Sequence, residues 1–169
     1  FKDVDKVSGK DLMDAIFAIS EDKGYSHYFF GSTPTTIKRL HINLQEKYPG
    51  LDIKGVVSPP FQEIEKFDVD SLAAQINQLK PTFFWCGLGA PKQEQLISLL
   101  QPKLVATIAV GVGLAFEYIA GTVTRAPKFM EKLGMEWFYR CLQQPVKAQR
   151  FVKPFFWMLY QMIAHKKNS

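Results

Sequence analysis

Along this chain, apolar residues spaced for a helix alternate with short, almost unbroken apolar runs. "KDLMDAIFAISEDKGY" (10–25) is apolar at helical spacing, and "HYFFGS" (27–32) is a short aromatic run that stops at Gly-Ser. "TPTTIKRLHINLQEKYP" (33–49) returns to helical spacing, with Pro34 placed for a first turn. "LDIKGVVSPPF" (51–61) reads as a strand ended by Pro59 and Pro60, and "DVDSLAAQINQLK" (68–80) as a helix with acidic residues in its first turn. "PTFFWCGLG" (81–89) is a buried strand feeding the helix "APKQEQLISLLQ" (90–101). "LVATIAVGVG" (104–113) is another strand, feeding "LAFEYIAG" (114–121). Strands this apolar, each followed by a helix, predict an α/β fold: a Rossmann-like, mostly parallel sheet with helices on both faces. Right-handed crossovers then leave every strand's C-terminal end on one edge, where open α/β sheets bind ligands.

From residue 122 the pattern changes to an aromatic, basic segment with prolines at 127, 145 and 154. The expected organisation is a sheet-forming body over 1–121 and a helical appendage over 122–169. With 169 residues, 47% of them hydrophobic, the chain can bury one substantial core. Its 21 Lys+Arg outnumber 16 Asp+Glu, and no acidic residue follows Glu136, so positive charge gathers in the appendage. The two cysteines, Cys86 and Cys141, give neither a disulfide framework nor metal-ligand spacing, which favours a reducing compartment such as the cytoplasm. No stretch approaches the roughly 20 apolar residues of a membrane span.

Four turns gather on the expected ligand edge: Gly31-Ser32, Ser58-Pro59, Gly87-Leu88-Gly89-Ala90 and Gly111-Val112-Gly113. Glycine at such turns lets backbone N–H groups approach a ligand, and the following helix N-termini favour a diphosphate. Any one tight turn would use glycine anyway; four together point to a nucleotide-type ligand. No turn has the Walker pattern or the third glycine of the dinucleotide fingerprint, which disfavours a dehydrogenase. Lys92 and Gln93 fall in the first turn after Pro91, where a cation is unfavourable unless an anion sits nearby. A solvated Lys and Gln on a surface helix is the plainer alternative.

"DVD" at Asp3–Asp5 and Asp68–Asp70 has the look of a metal-binding carboxylate pair, but the second copy sits where a helix cap belongs. The three histidines, 27, 41 and 165, show no metal spacing, and no metal or cofactor is expected. In the appendage, Arg140, Lys147 and Arg150 would share roughly one face of a continuous helix, which Pro145 interrupts. Phe155, Phe156 and Trp157 beside lysines suit a membrane interface, although a core-packing helix would use the same aromatics. A nucleic-acid partner is not expected, since no recognised motif accompanies the charge.

The chain resembles the WecG/TagA/CpsF family of bacterial glycosyltransferases through "VSGKDLM" (7–13), "GSTPTTI" (31–37), "GVVSPPF" (55–61), "GLGAPKQE" (87–94), "GVGLAFEYIAGTVTRAPKFM" (111–130) and "LGMEWFYRCLQQP" (133–145). The resemblance implies inverting, metal-independent transfer of N-acetylmannosamine or a related hexose from a UDP-sugar. The acceptor would be a polyprenyl-diphosphate-linked sugar at the inner membrane leaflet, in capsule or teichoic acid synthesis. It makes Gln93 a catalytic pocket residue needed for transfer, and Arg140, Lys147 and Arg150 the catalytic cations that hold the diphosphate. Where relatives often carry Arg, Lys147 keeps the charge without the bidentate fork, and Lys6 likewise stands before "VSG". The resemblance further implies an N-terminal segment whose "PDG"-type motif supplies the catalytic base; no segment of this chain matches it. The expectation is therefore a fragment of a longer enzyme, or else a catalytically inactive UDP-sugar or membrane-surface binding module. A peripheral position on the inner face of the cell membrane follows, with a homo-oligomer as one outcome.

Overall fold

The protein is seen in a computed structural model that describes residues 7–127 together with Met130, Tyr139, Leu142 and Gln143. The chain divides into two compact units, Phe1–Thr122 and Val123–Ser169. In the second unit, Gln143 grips the backbone of Thr124 from both sides, donating to its carbonyl and accepting from its N–H at 2.9 Å each.

The first unit alternates helices and strands in chain order. Its elements are α1 (Gly9–Lys23), β1 (Ser26–Gly31), α2 (Pro34–Lys47), β2 (Asp52–Val57), α3 (Val69–Leu79), β3 (Phe83–Gly87), α4 (Lys92–Leu100), β4 (Ile108–Gly111) and α5 (Ala115–Ile119). Local chemistry sets the helix starts. Ser8 and Asp11 of "VSGKDLM" form a capping box on α1, Thr33 caps α2 with Pro34 behind it, and Asp68 caps α3 through Ser71 N at 2.9 Å. The strand expected from residue 104 begins only at Ile108. Residues 101–103 instead extend α4 as a 3-10 turn, and Leu104 N stays bonded to the carbonyls of Leu100 and Gln101.

All strand pairs are parallel, in the order β2-β1-β3-β4. The step from β1 to β2 runs one way across the sheet and the steps from β2 to β3 to β4 run the other way. A right-handed crossover then sends α2 to one face and α3 and α4 to the opposite face. The side chains follow that division. Phe29, Phe83 and Trp85 pack with α1, α2 and α5, while Tyr28, Phe30, Phe84 and Cys86 pack with α3 and α4. The central strands β1 and β3 are buried throughout, whereas the edge strands β2 and β4 keep exposed positions because each has one pairing neighbour in the sheet.

Beneath the sheet's ligand edge lies a closed polar chain. The indole Nε1–H of Trp85 donates to His27 Nδ1 at 3.1 Å, which leaves His27 Nε2–H to donate to Ser20 Oγ at 2.9 Å. Ser20 then donates to the Ile16 carbonyl at 2.6 Å. Burial pulls the His27 pKa down from 6.5 to about 4, against an opposing pull from Asp52. This histidine is a structural link held neutral. Beside it, Ser26 and Thr82 exchange two side-chain-to-backbone bonds at 3.1 Å that lock the starts of β1 and β3 together.

Candidate active site

β1 and β3 are neighbours whose outgoing connections leave in opposite directions, so the crevice above their C-terminal ends is the topological switch point of the sheet. Gly31 and Gly87 pair across it. A Cβ on Gly31 would lie 2.6 Å from the Gly87 carbonyl carbon, and one on Gly87 would lie 2.5 Å from the Phe116 ring. A Cβ on Gly111 would meet the Gln93 amide at 2.9 Å. These three glycines therefore have an internal reason: they let the strands, the α5 aromatic and the Gln93 side chain close up. Gly31 also has a positive φ (+132°), as do Gly89 (φ +80°) and Gly113 (φ +53°). Their left-handed backbone favours glycine, and around Gly89 no atom would touch an added Cβ.

At the tip of β1, Ser32 also adopts a left-handed conformation (φ 58°), which a serine holds only when its surroundings fix it. Ser32 N–H donates to the Gly87 carbonyl at 3.1 Å, and its own carbonyl accepts from Ser58 Oγ at 2.8 Å. Ser32 Oγ donates to Glu117 Oε1 at 3.2 Å. One residue thus ties together the tips of β1 and β3, the loop after β2 and the helix after β4. Glu117 sits in the first turn of α5, half-buried at the switch point, and no local sequence signal singled it out. Its partner Ser32 is 85 residues away in the chain.

Gln93 is buried, with 7% of its surface exposed. Its Oε1 accepts from the Gly113 N–H at 2.9 Å and its Nε2 donates to Glu94 Oε1 at 2.8 Å. The side chain expected to project into the crevice is instead a brace between the β3–α4 and β4–α5 turns, directly under the crevice floor. Lys92 is also engaged. Its ammonium donates to the Gln62 carbonyl at 2.9 Å and to Glu63 Oε1 at 3.1 Å, and lies 4.8 Å from the centre of the Phe61 ring. These contacts relieve the conflict between the cation and the helix dipole without a bound anion. Pro59 is half-buried in the same loop and Ala90 is exposed at the turn before α4.

Cys86 lies beneath the crevice, where burial pushes its thiol up to about 12, so it is no nucleophile. A shallow groove of about 480 Å³ runs between Ile64 and α4, lined in part by Glu65 and Glu94. Two carboxylates give it the wrong sign for a diphosphate. Among the described residues, no cluster of His, Cys, Asp or Glu could hold a metal ion. Asp68 is occupied as a helix cap, and Asp70 pairs with Lys103 at 2.6 Å. No helix among the described residues is long and apolar enough to cross a membrane. Arg140, Lys147, Arg150, Phe155, Phe156 and Trp157 lie outside the described residues, as do Lys6 and the first "DVD".

A four-stranded parallel sheet with helices on both faces and a topological switch point between β1 and β3 is a Rossmann-like fold. The chain belongs to the glycosyl transferase WecG/TagA/CpsF family, whose sequence model matches residues 1–169. It is similar to the N-acetylglucosaminyldiphosphoundecaprenol N-acetyl-beta-D-mannosaminyltransferase of Bacillus subtilis (strain 168). That match is 26% identical over 147 residues and covers 87% of this chain and 56% of the relative. The protein of the same name from Staphylococcus aureus (strain NCTC 8325 / PS 47) is 28% identical over 137 residues, covering 81% of this chain and 52% of the relative. The chain thus spans about half the length of the curated relatives it matches.

Proposed function

We propose that this chain carries the donor-binding half of a glycosyltransferase that moves N-acetylmannosamine, or a related hexose, from a UDP-sugar to a polyprenyl-diphosphate-linked sugar. The observation that carries the reading is the Ser32–Glu117 pair at the switch point, beside the open turn at Gly89 and the start of α4. A carboxylate fixed there fits the vicinal hydroxyls of a ribose, because it can accept from both. The N-terminal end of α4 and the Gly89 turn suit the diphosphate, whose charge the helix dipole favours. In this scheme Gln93 keeps the Gly113 turn in register beneath the donor.

The chemistry is an inverting displacement at the anomeric carbon. The acceptor hydroxyl adds to that carbon, the bond to the UDP oxygen breaks, and the hydroxyl proton passes to a base. As that bond breaks, the leaving diphosphate gains charge, and fixed cations stabilise it more than water does. We assign that task to Arg140, Lys147 and Arg150, with no metal ion. We assign membrane contact on the inner leaflet to Phe155, Phe156 and Trp157, which makes the enzyme peripheral, a step in teichoic acid or related surface-polymer synthesis.

The test is incubation of the full chain with a panel of UDP-sugars and a short-chain polyprenyl-diphosphate N-acetylglucosamine, with UDP release and lipid product followed together. Transfer from UDP-N-acetylmannosamine supports the proposal. Donor binding without transfer would mean that this chain holds the donor but not the catalytic base, and no binding of any UDP-sugar would sink the donor assignment.

A further inference from the structure

The loop between β2 and α3 is fastened on two sides of the switch point. At its start, Ser58 Oγ donates to the Ser32 carbonyl on the tip of β1 at 2.8 Å. Farther along, Gln62 and Glu63 are held by Lys92 at the head of α4, which follows β3. β1 lies between β2 and β3 in the sheet, so the loop passes over the crevice end of β1. Pro59 and Pro60 stiffen the span between the two fastenings, since each fixes its own φ. Phe61, 97% exposed, rests one face near the Lys92 ammonium.

Lys92 is a poor choice for α4 itself, because a cation in the first turn opposes the helix dipole. Its side chain is nevertheless three-quarters covered, at 25% exposure, and its contacts reach back 30 residues to the loop. The lysine serves the loop rather than the helix. We propose that Lys92 is a positioning residue: it clasps the 58–63 loop across the crevice so that Pro59, Pro60 and Phe61 form a preset wall for the nucleoside of the donor. The flat, apolar surfaces of two prolines and a phenylalanine suit a planar base, whereas the diphosphate belongs at the Gly89 turn. This inference rests on the donor reading above.

The rival arrangement has Lys92 bind the diphosphate itself, with Glu63 as a competitor that the ligand displaces. The two arrangements predict opposite signs. Binding of uridine and of UDP to the full chain is measured by ligand-observed NMR for wild type, Lys92→Met, Lys92→Arg and Glu63→Gln. As a clasp, Lys92→Met weakens uridine and UDP by the same factor, about tenfold, and Glu63→Gln weakens both by about threefold. Lys92→Arg recovers most of the loss, and thermal unfolding of all variants stays close to wild type. A loss confined to UDP, or tighter UDP binding in Glu63→Gln, overturns the clasp in favour of direct phosphate contact. Unchanged binding in every variant shows that the loop is no wall. If wild type binds neither ligand, the donor reading fails and the clasp with it. Should Lys92→Met not fold, Glu63→Gln still decides by its sign, because it leaves the Lys92–Gln62 bond in place.

Discussion

The two ends of the same sheet use polar side chains in opposite ways. At the N-terminal end, Ser26, Thr82, His27, Trp85 and Ser20 bond within their own buried cluster or to adjacent backbone. At the C-terminal end, Ser32, Ser58, Gln93 and Lys92 each reach from one turn to another, bridging segments that follow different strands. A satisfied cluster deep in a core fixes one packing and contributes to stability. Bridges between turns fix the relative positions of loops, which is what a binding crevice needs. Changes at the lower end should therefore move stability and leave binding alone, and changes at the upper end should do the reverse.

The largest expected break of that contrast is at Gln93, which is buried like the lower cluster yet joins two upper turns. In the active enzyme, Gln93→Ala should lower transfer by about 100-fold or more, because a turn displaced by an ångström misplaces the donor. It should also cost about 1–3 kcal/mol of stability, since the Gly113 N–H is left without its acceptor. Gln93→Glu keeps an acceptor for Gly113 but sets a carboxylate against Glu94, and should retain more stability than the alanine variant. Transfer at the wild-type rate in Gln93→Ala would remove the brace from the site.

The lower end makes a pH prediction with a definite sign. His27 titrates near 4 when folded, against 6.5 as its ordinary value, so between those values the unfolded chain holds the extra proton. Its contribution is complete above pH 6.5 and is lost as pH falls toward 4. At about 1.4 kcal/mol per pH unit, that is roughly 3 kcal/mol. Asp14 acts at lower pH. Burial raises its pKa, but hydrogen bonds from Lys10 and Lys47 outweigh that and hold it below 3.8, so its contribution disappears only as the carboxylate protonates. Chemical denaturation from pH 7 to 4 should show the His27 slope, and His27→Gln should flatten it. A slope unchanged in the variant would assign the acid sensitivity elsewhere. Trp85→Phe, which strands His27 Nδ1, should cost about 1–3 kcal/mol while uridine binding is unchanged.

The frame of the fold was legible in the sequence, the upper end only in part, and the polar cluster of the lower end not at all. Nearly continuous apolar strands such as "HYFFG" and "FFWCG" announce a parallel sheet because both their faces must be buried. Pro34 and Asp68 mark helix starts through local chemistry. The ligand edge followed from topology. What escaped was long-range. Glycines at 31, 87 and 111 look the same in sequence whether a ligand or the protein's own atoms fill the space. Glu117 matters through a serine far along the chain, and Lys92 through a loop 30 residues earlier. The first turn of a helix after a Gly-x-Gly strand end was the one signal that could have drawn attention to the glutamate.

A smaller effect sharpens the upper end. Glu117→Gln keeps a partner for Ser32 and nearly the same volume, but an amide accepts from two ribose hydroxyls less well than a carboxylate. UDP binding should weaken about tenfold, with thermal unfolding nearly unchanged. A large fall in stability with unaltered binding would make Glu117 a strut rather than a ribose contact.

The smallest expected effect is none, and it tests how the diphosphate is balanced. A metal-dependent transferase needs free carboxylates beside the leaving group, since a divalent cation must be held there by oxygen ligands. Here Asp68 is spent on the α3 cap and Asp70 on Lys103, and Glu94 at the α4 start accepts from Gln93. In the proposed scheme the charge that develops on the leaving UDP meets helix dipoles, backbone N–H groups and the cations assigned to the appendage. EDTA should leave transfer unaltered, and added Mg²⁺ should do nothing beyond screening, which raised NaCl of equal ionic strength would reproduce. Activity that vanished with chelator and returned with a divalent ion would transfer the role given to Arg140, Lys147 and Arg150 to a metal.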